Sequence, residues 1–468
     1  MKILVAIANY GTKNMRFLHA LLKEYRSMSY ETDIVVFSNI PKELGEAVEV
    51  KVGLPSKNPW SLPFAHKKVF AERVNEYDLF IYSEDDTLIT EHHIAAFLDV
   101  TRILPKNVIA GFLRYEFDRS GNKYYSSVHS HFHWIPDSLV SVGRYAFARF
   151  TNDHSACYLL TREQLKIAID SGGYLVEPHE GRYDLLVTAA TDPYTQCGLS
   201  KIICVSHLND FELHHLPDVY IGRLGVAERE LNQQISALLK NSVDTQRHLF
   251  AVETKCKQER WSKSFYEPAR EDIVGLIPNY PQNILSVGCG WGAMEAALVQ
   301  RGHKVAAVPL DSVIGSCAEA KGVEITCPDF YQAFRSLSGR RFDCIIFSEV
   351  LQHIPDPVKV LSNYVSLLSN DGMVVISVPN FSSIKLRHAF TSEGILSKEM
   401  SVFDRTGLHM TTPDLVKTWL KQSNLRVVHS LYGAQGRSRL LMPIMPGRLK
   451  GLVAEEYLIV ARKVSYEF

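Results

Sequence analysis

Short apolar runs alternate with stretches of helical period along most of this chain. Lys2 to Ala8 is an unbroken strand pattern, closed by the turn Asn9-Tyr10-Gly11. Met15 to Tyr25 repeats its apolar residues at helical spacing. Asp33 to Ser38 and Val48 to Val52 are strand-like again, His66 to Val74 is helical, and Tyr77 to Ser83 is a fourth buried strand. A second series begins at Ile284, where a short strand runs into three glycines and a helix follows over Ala293 to Gln300. Further strands are predicted at His303 to Val308, Val323 to Thr326, Phe342 to Phe347 and Gly372 to Pro379. Continuous apolar strands separated by helices predict sheets covered on both faces, so the fold class expected is α/β in both halves. Residues 226–265 read as a helical connector, Thr161 as the cap of a helix, and the end of the chain as a closing strand pair.

A chain of 468 residues has room for two or three domains. With 46% apolar and 22% charged residues it is globular, and the balance of 51 basic against 51 acidic residues excludes a strongly basic nucleic-acid binder. The eight cysteines form no C-x-x-C pair, which predicts reduced thiols in a cytoplasmic protein rather than a disulfide or zinc framework. The apolar start is interrupted at Asn9 and Tyr10, too early for a signal peptide. No run approaches the ~20 apolar residues that span a bilayer, so any membrane contact is expected to be peripheral.

The stretch I-L-S-V-G-C-G-W-G carries the strongest chemical signal. Gly288 is read as the tight turn, Gly290 as the point where backbone approaches a ligand, Gly292 as the opening of a helix whose amides attract anions, and Cys289 as small filler. Further on stand F-D-C-I-I-F-S-E-V-L-Q-H-I-P-D-P, L-L-S-N-D-G-M-V-V-I-S-V-P-N and H-M-T-T-P-D-L-V-K-T-W-L. In that order and spacing, residues 266–468 resemble a class I S-adenosylmethionine-dependent methyltransferase with a Rossmann-like sheet. The resemblance implies S-adenosylmethionine (SAM) as cofactor, bound at Gly288, Cys289, Gly290, Gly292 and Glu349, with Asp311 reaching the ribose and Asp329 near the adenine. It also makes His353 a candidate general base for a hydroxyl acceptor, against a structural role in the turn before Pro355. Two positions depart from the family: Ser286 stands where an acid often precedes the turn, and Pro309 where the ribose-binding acid usually ends the second strand. Phe381 to Gly407 is expected to be an insertion over the acceptor.

In the first half, Glu84-Asp85-Asp86 follows the fourth strand. Adjacent carboxylates repel, so a divalent cation would explain the group, and so would a solvated acidic turn. The surrounding H-K-K-V-F-A-E-R-V-N-E-Y-D-L-F-I-Y-S-E-D-D-T-L-I resembles the donor site of GT-A-fold glycosyltransferases, which implies a mixed sheet, Mn²⁺ or Mg²⁺ and a nucleotide-sugar. By that resemblance Asp86 leads the metal ligands, with Glu84, Asp85 and a late histidine, His215 or His214. Lys67 and Lys68 either serve the donor or are solvated. Asp192, then Glu180 and Asp184, are candidates for the base that an inverting transfer needs. His129, His131 and His133 alternate and would share one face of a strand.

The domain expectation is therefore a GT-A-like domain over 1–225, a connector over 226–265 and a methyltransferase domain over 266–468. The leading reading is a bifunctional enzyme that transfers a sugar to a glycan or glycolipid acceptor and O-methylates the product or its precursor. The alternatives are a methyltransferase whose first half only recognises the substrate, and a scaffold with degenerate sites.

Overall fold

The computed structural model describes residues 1–126, 131–221, 225–240, 262–392, 407–433 and 445–464. The chain divides into two compact units, one of Met1–Val128 and His133–Ile235, the other including Ser236–Phe468. The first thus runs past the expected boundary at 225, because the strand Gly225–Ala227 pairs antiparallel with Lys123–Ser126.

In the first unit the chain forms β1 (Lys2–Asn9), α1 (Met15–Ser27), β2 (Glu31–Ser38), β3 (Val48–Val52), α2 (Ala65–Glu72), β4 (Leu79–Glu84), β5 (Thr87–Leu88) and α3 (Glu91–Thr101). Then come β6 (Val108–Ala110), β7 (Leu113–Phe117), β8 (Lys123–Ser126), β9 (Trp134–Val142), β10 (Tyr145–Phe150) and β11 (Cys157–Thr161). After them lie α4 (Arg162–Asp170), α5 (Leu185–Thr195), β12 (Ser200–Cys204), β13 (Glu212–His215), β14 (Gly225–Ala227) and α6 (Glu228–Lys240). The central sheet has the order β11-β4-β1-β2-β3, parallel except for β11. Ile3 to Ile7 are fully buried, which is why β1 reads as a continuous apolar run rather than an alternating one. Two smaller sheets, β6-β12-β10-β9 and β14-β8-β7-β13-β5, complete the unit. Thr161 caps α4 as expected, in a reciprocal pair with Gln164.

The second unit holds α7 (Glu271–Val274), β15 (Asn283–Cys289), α8 (Ala293–Gln300), β16 (Lys304–Pro309), α9 (Ser312–Glu319), β17 (Glu324–Ile325) and α10 (Phe330–Ser336). It continues through β18 (Phe342–Ser348), α11 (Pro357–Val365), β19 (Leu368–Pro379), α12 (Ile384–Ser392), α13 (Pro413–Gln422), β20 (Leu425–Gly433), α14 (Gly447–Val453) and β21 (Glu456–Lys463). Its sheet order is β17-β16-β15-β18-β19-β21-β20, with β21 antiparallel to both neighbours. The strand order reverses beside β15, so a crevice opens at the carboxyl ends of β15 and β18. The closing strand pair expected over 440–463 is corrected: residues 440–444 lie outside the described residues, Gly447–Val453 is a helix, and the strand Glu456–Lys463 pairs with β20, whose largely exposed face gave no alternating apolar signal. Of the expected insertion, α12 fills the first part and residues 393–406 lie outside the described residues, as do 241–261 of the connector. Among the described residues no helix is long and apolar enough to cross a membrane.

Candidate functional site

The glycine turn between β15 and α8 is shaped by what each glycine faces. Gly288 has φ +86°, and a Cβ there would lie 2.7 Å from Val350 Cγ2. Gly292, the N-cap of α8, has φ +82°, and a Cβ there would meet Ala318 of α9 at 2.5 Å. At Gly290 the close neighbour is the backbone carbonyl of Phe265, 2.4 Å from a built Cβ. The expectation that Gly290 admits a ligand is thus refined: it admits the preceding chain, whose Phe265 carbonyl accepts from Trp291 N at 2.9 Å. Trp291 Nε1 donates to Glu267 O at 2.6 Å and ties the same segment down again.

A pocket opens at this turn, lined by Gly288, Gly290 and Gly292 together with Ser286, Ser348, Trp291, Lys263, Glu267 and Glu295, among others. Ser286 Oγ donates to Glu295 Oε1 at 2.6 Å, and both residues are buried. Lys263, equally buried, donates to Glu267 Oε2 at 2.9 Å. Burial pushes its ammonium pKa down, but Glu267, Glu349 and Glu295 outweigh burial and hold it above the ordinary value. Arg270 joins Glu267, Asp272 and Glu456. Glu349 follows β18 with φ +48°, a backbone strain that a non-glycine residue tolerates only where its surroundings fix it. Burial, then Glu456 and Glu267, push its carboxyl up to about 8 against Arg270 and Lys263. Glycine backbone at a helix N-terminus, one buried ammonium and several carboxylates make a donor set that fits a zwitterionic, cationic ligand such as SAM.

Cys289 does not line the pocket; it is buried, and burial raises its thiol pKa well above the usual value. Asp311 Oδ1 accepts from Ile314 N at 2.7 Å and caps α9, and Asp329 caps α10 through Tyr331 N and Gln332 N at 2.9 and 2.7 Å. His353 is fully buried in a single 3₁₀ turn, Leu351–His353, outside the pocket lining, and its backbone N donates to Val350 O at 3.0 Å. Glu295, Lys263 and Arg270 were not singled out in the sequence. The signal for Glu295 was Ser286 itself, since a missing acid invites a search for one that could replace it.

A family model described as "Methyltransferase domain" matches residues 259–430. The C-terminal region is a class I SAM-dependent methyltransferase domain. A relative named Ubiquinone biosynthesis O-methyltransferase, from Actinobacillus pleuropneumoniae serotype 7, is 32% identical over 125 residues, covering 24% of this chain and 53% of its own length. One of the same name from Xanthomonas campestris pv. campestris is 24% identical over 166 residues, covering 34% of this chain and 70% of its own. The chain spans about half the length of the first curated relatives it matches. A solved SAM-dependent methyltransferase from Archaeoglobus fulgidus aligns with TM-score 0.32 at 17% identity, over 42% of this chain and 91% of its own. The family match leaves residues 1–258 outside the methyltransferase domain model.

In the first unit the acidic group is buried rather than a solvated turn: Asp85 and Asp86 are 6% and 9% exposed. Asp85 accepts from Asn9 Nδ2 and, at 2.8 Å, from Asn14 Nδ2. His215 places Nε2 3.5 Å from Asp86 Oδ2 and Nδ1 2.6 Å from Glu116 Oε1. Burial alone would lower the His215 pKa; Asp86 and Glu116 overcome it and hold it near 9. Burial and Asp86 raise Glu84 to about 8, and burial raises Asp85 to about 6 despite Asn14. Glu84 Oε1 and Asp86 Oδ1 are buried without a hydrogen-bond partner. Among the described residues no group of three or more His, Cys, Asp or Glu side chains is arranged to hold a metal ion.

The remaining candidates are dispersed. His214 stacks on Tyr115 and lies 3.1 Å from Asp218. Lys68 is exposed, but Lys67 is buried and donates to Asp192, which also sits 3.4 Å from His179. Asp184 caps α5 through Val187 N at 3.0 Å, and Glu180 lies in an exposed loop. His131 and His133 precede β9 and are not in a strand, and His129 lies outside the described residues. The shared strand face expected for these histidines is thereby corrected.

Proposed function

We propose that the methyltransferase domain moves a methyl group from SAM to a hydroxyl acceptor, and that the first unit recognises that acceptor. The observation carrying this reading is the glycine-walled pocket at the carboxyl ends of β15 and β18, with Lys263 and Glu295 buried in its wall. SAM, when bound, supplies an electrophilic methyl group on a sulfonium. The chain's own task is to place donor and acceptor in line and keep water out, which can account for most of such a rate enhancement. The excess of carboxylates around Lys263 favours a cationic donor over its neutral demethylated product, which aids product release. Relatives named as O-methyltransferases of ubiquinone biosynthesis support a hydroxyl as acceptor.

The test is calorimetric titration of the full chain with S-adenosylhomocysteine and with SAM. One-to-one binding is expected, tighter for SAM. A folded protein that binds neither would reduce the second unit to a scaffold.

A second reading rests on the first unit: the orphaned oxygens of Glu84 and Asp86 lie at the carboxyl end of a parallel strand, where a bound cation would satisfy them. On that reading the unit binds a nucleotide-sugar with Mn²⁺ or Mg²⁺ and glycosylates a glycan or glycolipid. Asp192 supports it less, since its carboxylate is already engaged by Lys67.

A further inference from the structure

His179 faces an oxygen atom at each of its ring nitrogens. It stands between α4 and α5, where residues 171–184 form neither helix nor strand. Nδ1 lies 3.0 Å from the carbonyl oxygen of Glu177, and Nε2 lies 3.4 Å from Asp192 Oδ1. A neutral imidazole has one N–H and one lone pair. With the proton on Nδ1, the lone pair of Nε2 faces a carboxylate. With the proton on Nε2, the lone pair of Nδ1 faces a carbonyl. Both arrangements are repulsive, and only the imidazolium can donate to both oxygens at once.

The groups packed against the ring set what protonation does. From α5 comes Asp192, 0% exposed, whose Oδ2 is taken by Lys67 of α2 and whose Oδ1 has no hydrogen-bond partner. The 3₁₀ turn Pro59–Phe64 brings no charge, only the ring of Phe64, edge-on to His179 with centroids 5.8 Å apart. Within the loop, Glu177 and Glu180 are exposed, and Arg182 turns away to Asp153 and Thr151 O. A buried carboxylate oxygen without a donor is costly, and His179 is the donor that protonation supplies. With both nitrogens turned to protein oxygens, the ring is not placed to take a proton from a substrate.

The loop is anchored on either side of this contact. Tyr174 is fully buried with its hydroxyl 2.7 Å from that of Tyr158, and the buried Tyr183 accepts from Asp153 N at 2.9 Å. Between these anchors Leu175, Val176, Glu177, Glu180 and Gly181 are exposed, and His179 ties the middle of the loop to α5.

We propose that His179 is a proton-operated latch: protonated, it bridges Glu177 O and Asp192 and holds residues 175–182 against α5, and deprotonated, it releases them. The closed state takes up the proton, so the latch holds in acid and loosens as pH rises. Opening withdraws the ring from Asp192 Oδ1, so the step that frees the loop also admits solvent to the buried ion pair.

The test is amide hydrogen exchange of the full chain, followed by mass spectrometry in peptides covering 175–182 and, as a control, 185–195. Rates are divided by the intrinsic rate at each pH. In the unaltered protein, protection of 175–182 is expected to fall by about fivefold or more between about pH 5.5 and about pH 8, with 185–195 unchanged. His179→Gln and His179→Ala carry no titrating ring and should show the weaker protection at both pH values. Protection of 175–182 that does not change with pH in the unaltered protein overturns the latch. So does a fall that persists in both variants, or one shared equally by 185–195, which would be a general loosening of the unit.

Discussion

Lys67 Nζ and Asp192 Oδ2 form an ion pair between α2 and α5, with their side chains 3% and 0% exposed. Phe64 and Tyr174 present their rings to the same ammonium, at 4.5 and 5.6 Å. A carboxylate so engaged serves the packing of the first unit before it can serve as a base. Lys67→Met leaves a buried carboxylate without its counter-charge and should lower unfolding free energy by about 3–5 kcal/mol. Urea denaturation followed by a probe in the first unit measures it. A stable Lys67→Met protein would return Asp192 to the list of catalytic candidates.

His93 makes the first unit sensitive to acid. Its Nδ1 accepts from Thr90 N at 3.0 Å in the capping box of α3, a role that only the neutral ring can fill. Burial, helped by His92, lowers its pKa to about 4. The folded state therefore binds fewer protons than the unfolded state between about pH 6.5 and 4. Stability from this residue is complete above about 6.5 and is lost as pH falls through the folded value. The expected loss is about 3 kcal/mol, scaled from the shift at 1.36 kcal/mol per unit. His93→Gln keeps an acceptor in the capping box and should flatten that part of the pH–stability curve. If the slope persists in His93→Gln, another group causes it.

The glycines at the two ends of α8 separate two costs. Gly302 has φ +88° with nothing within 4 Å of a built Cβ, so Gly302→Ala meets backbone strain alone, about 1–2 kcal/mol. Gly292→Ala meets the same strain plus Ala318 Cβ at 2.5 Å and Cα at 2.7 Å, which cannot rotate away. Overpacking of that kind adds about 1–3 kcal/mol. Gly292→Ala should therefore be clearly the more destabilising, and should also weaken S-adenosylhomocysteine by displacing α8. Equal melting temperatures for the two variants would show that α8 and α9 can separate without loss.

The second unit was the more legible in sequence because its signals are local. A strand, a tight turn and a helix follow one another within residues 283–300, and the strand runs are apolar because the sheet is covered on both faces. The donor-facing charges were not legible in the same way. Ser286 and Glu295 are nine residues apart, and Lys263 enters from the segment before α7, so only the folded chain brings them to one pocket. In the first unit β1 to β4 were each visible as an apolar run. The environment of Asp192 was not, since Lys67 lies 125 positions away and a helical lysine is ordinarily solvated. β20 was missed because its exposed residues hide the period that a buried face would impose.

Asp86 decides between the two readings of the first unit. Its carboxylate faces His215 Nε2 at 3.5 Å and shares Asn14 with Asp85, while Glu84 Oε1 and its own Oδ1 have no hydrogen-bond partner. Such burial is costly unless an ion or a donor satisfies those oxygens in the working protein. A cation that binds only the folded state must stabilise it, by about 2.7 kcal/mol at a hundredfold excess over its dissociation constant. If the cluster holds a divalent ion, Mn²⁺ raises the melting temperature above that in sodium chloride of equal ionic strength, a nucleoside diphosphate raises it further, and Asp86→Asn abolishes both. If the unit only recognises an acceptor, Mn²⁺ has no such effect. Asp86→Asn then has an effect that is the same with and without Mn²⁺: it removes the charge that, after burial, holds Glu84 near 8, and it removes the contact to His215. One reading predicts a metal-dependent rise that the variant abolishes and the other predicts none, so a single variant with and without metal separates a metal-bound donor site from substrate recognition.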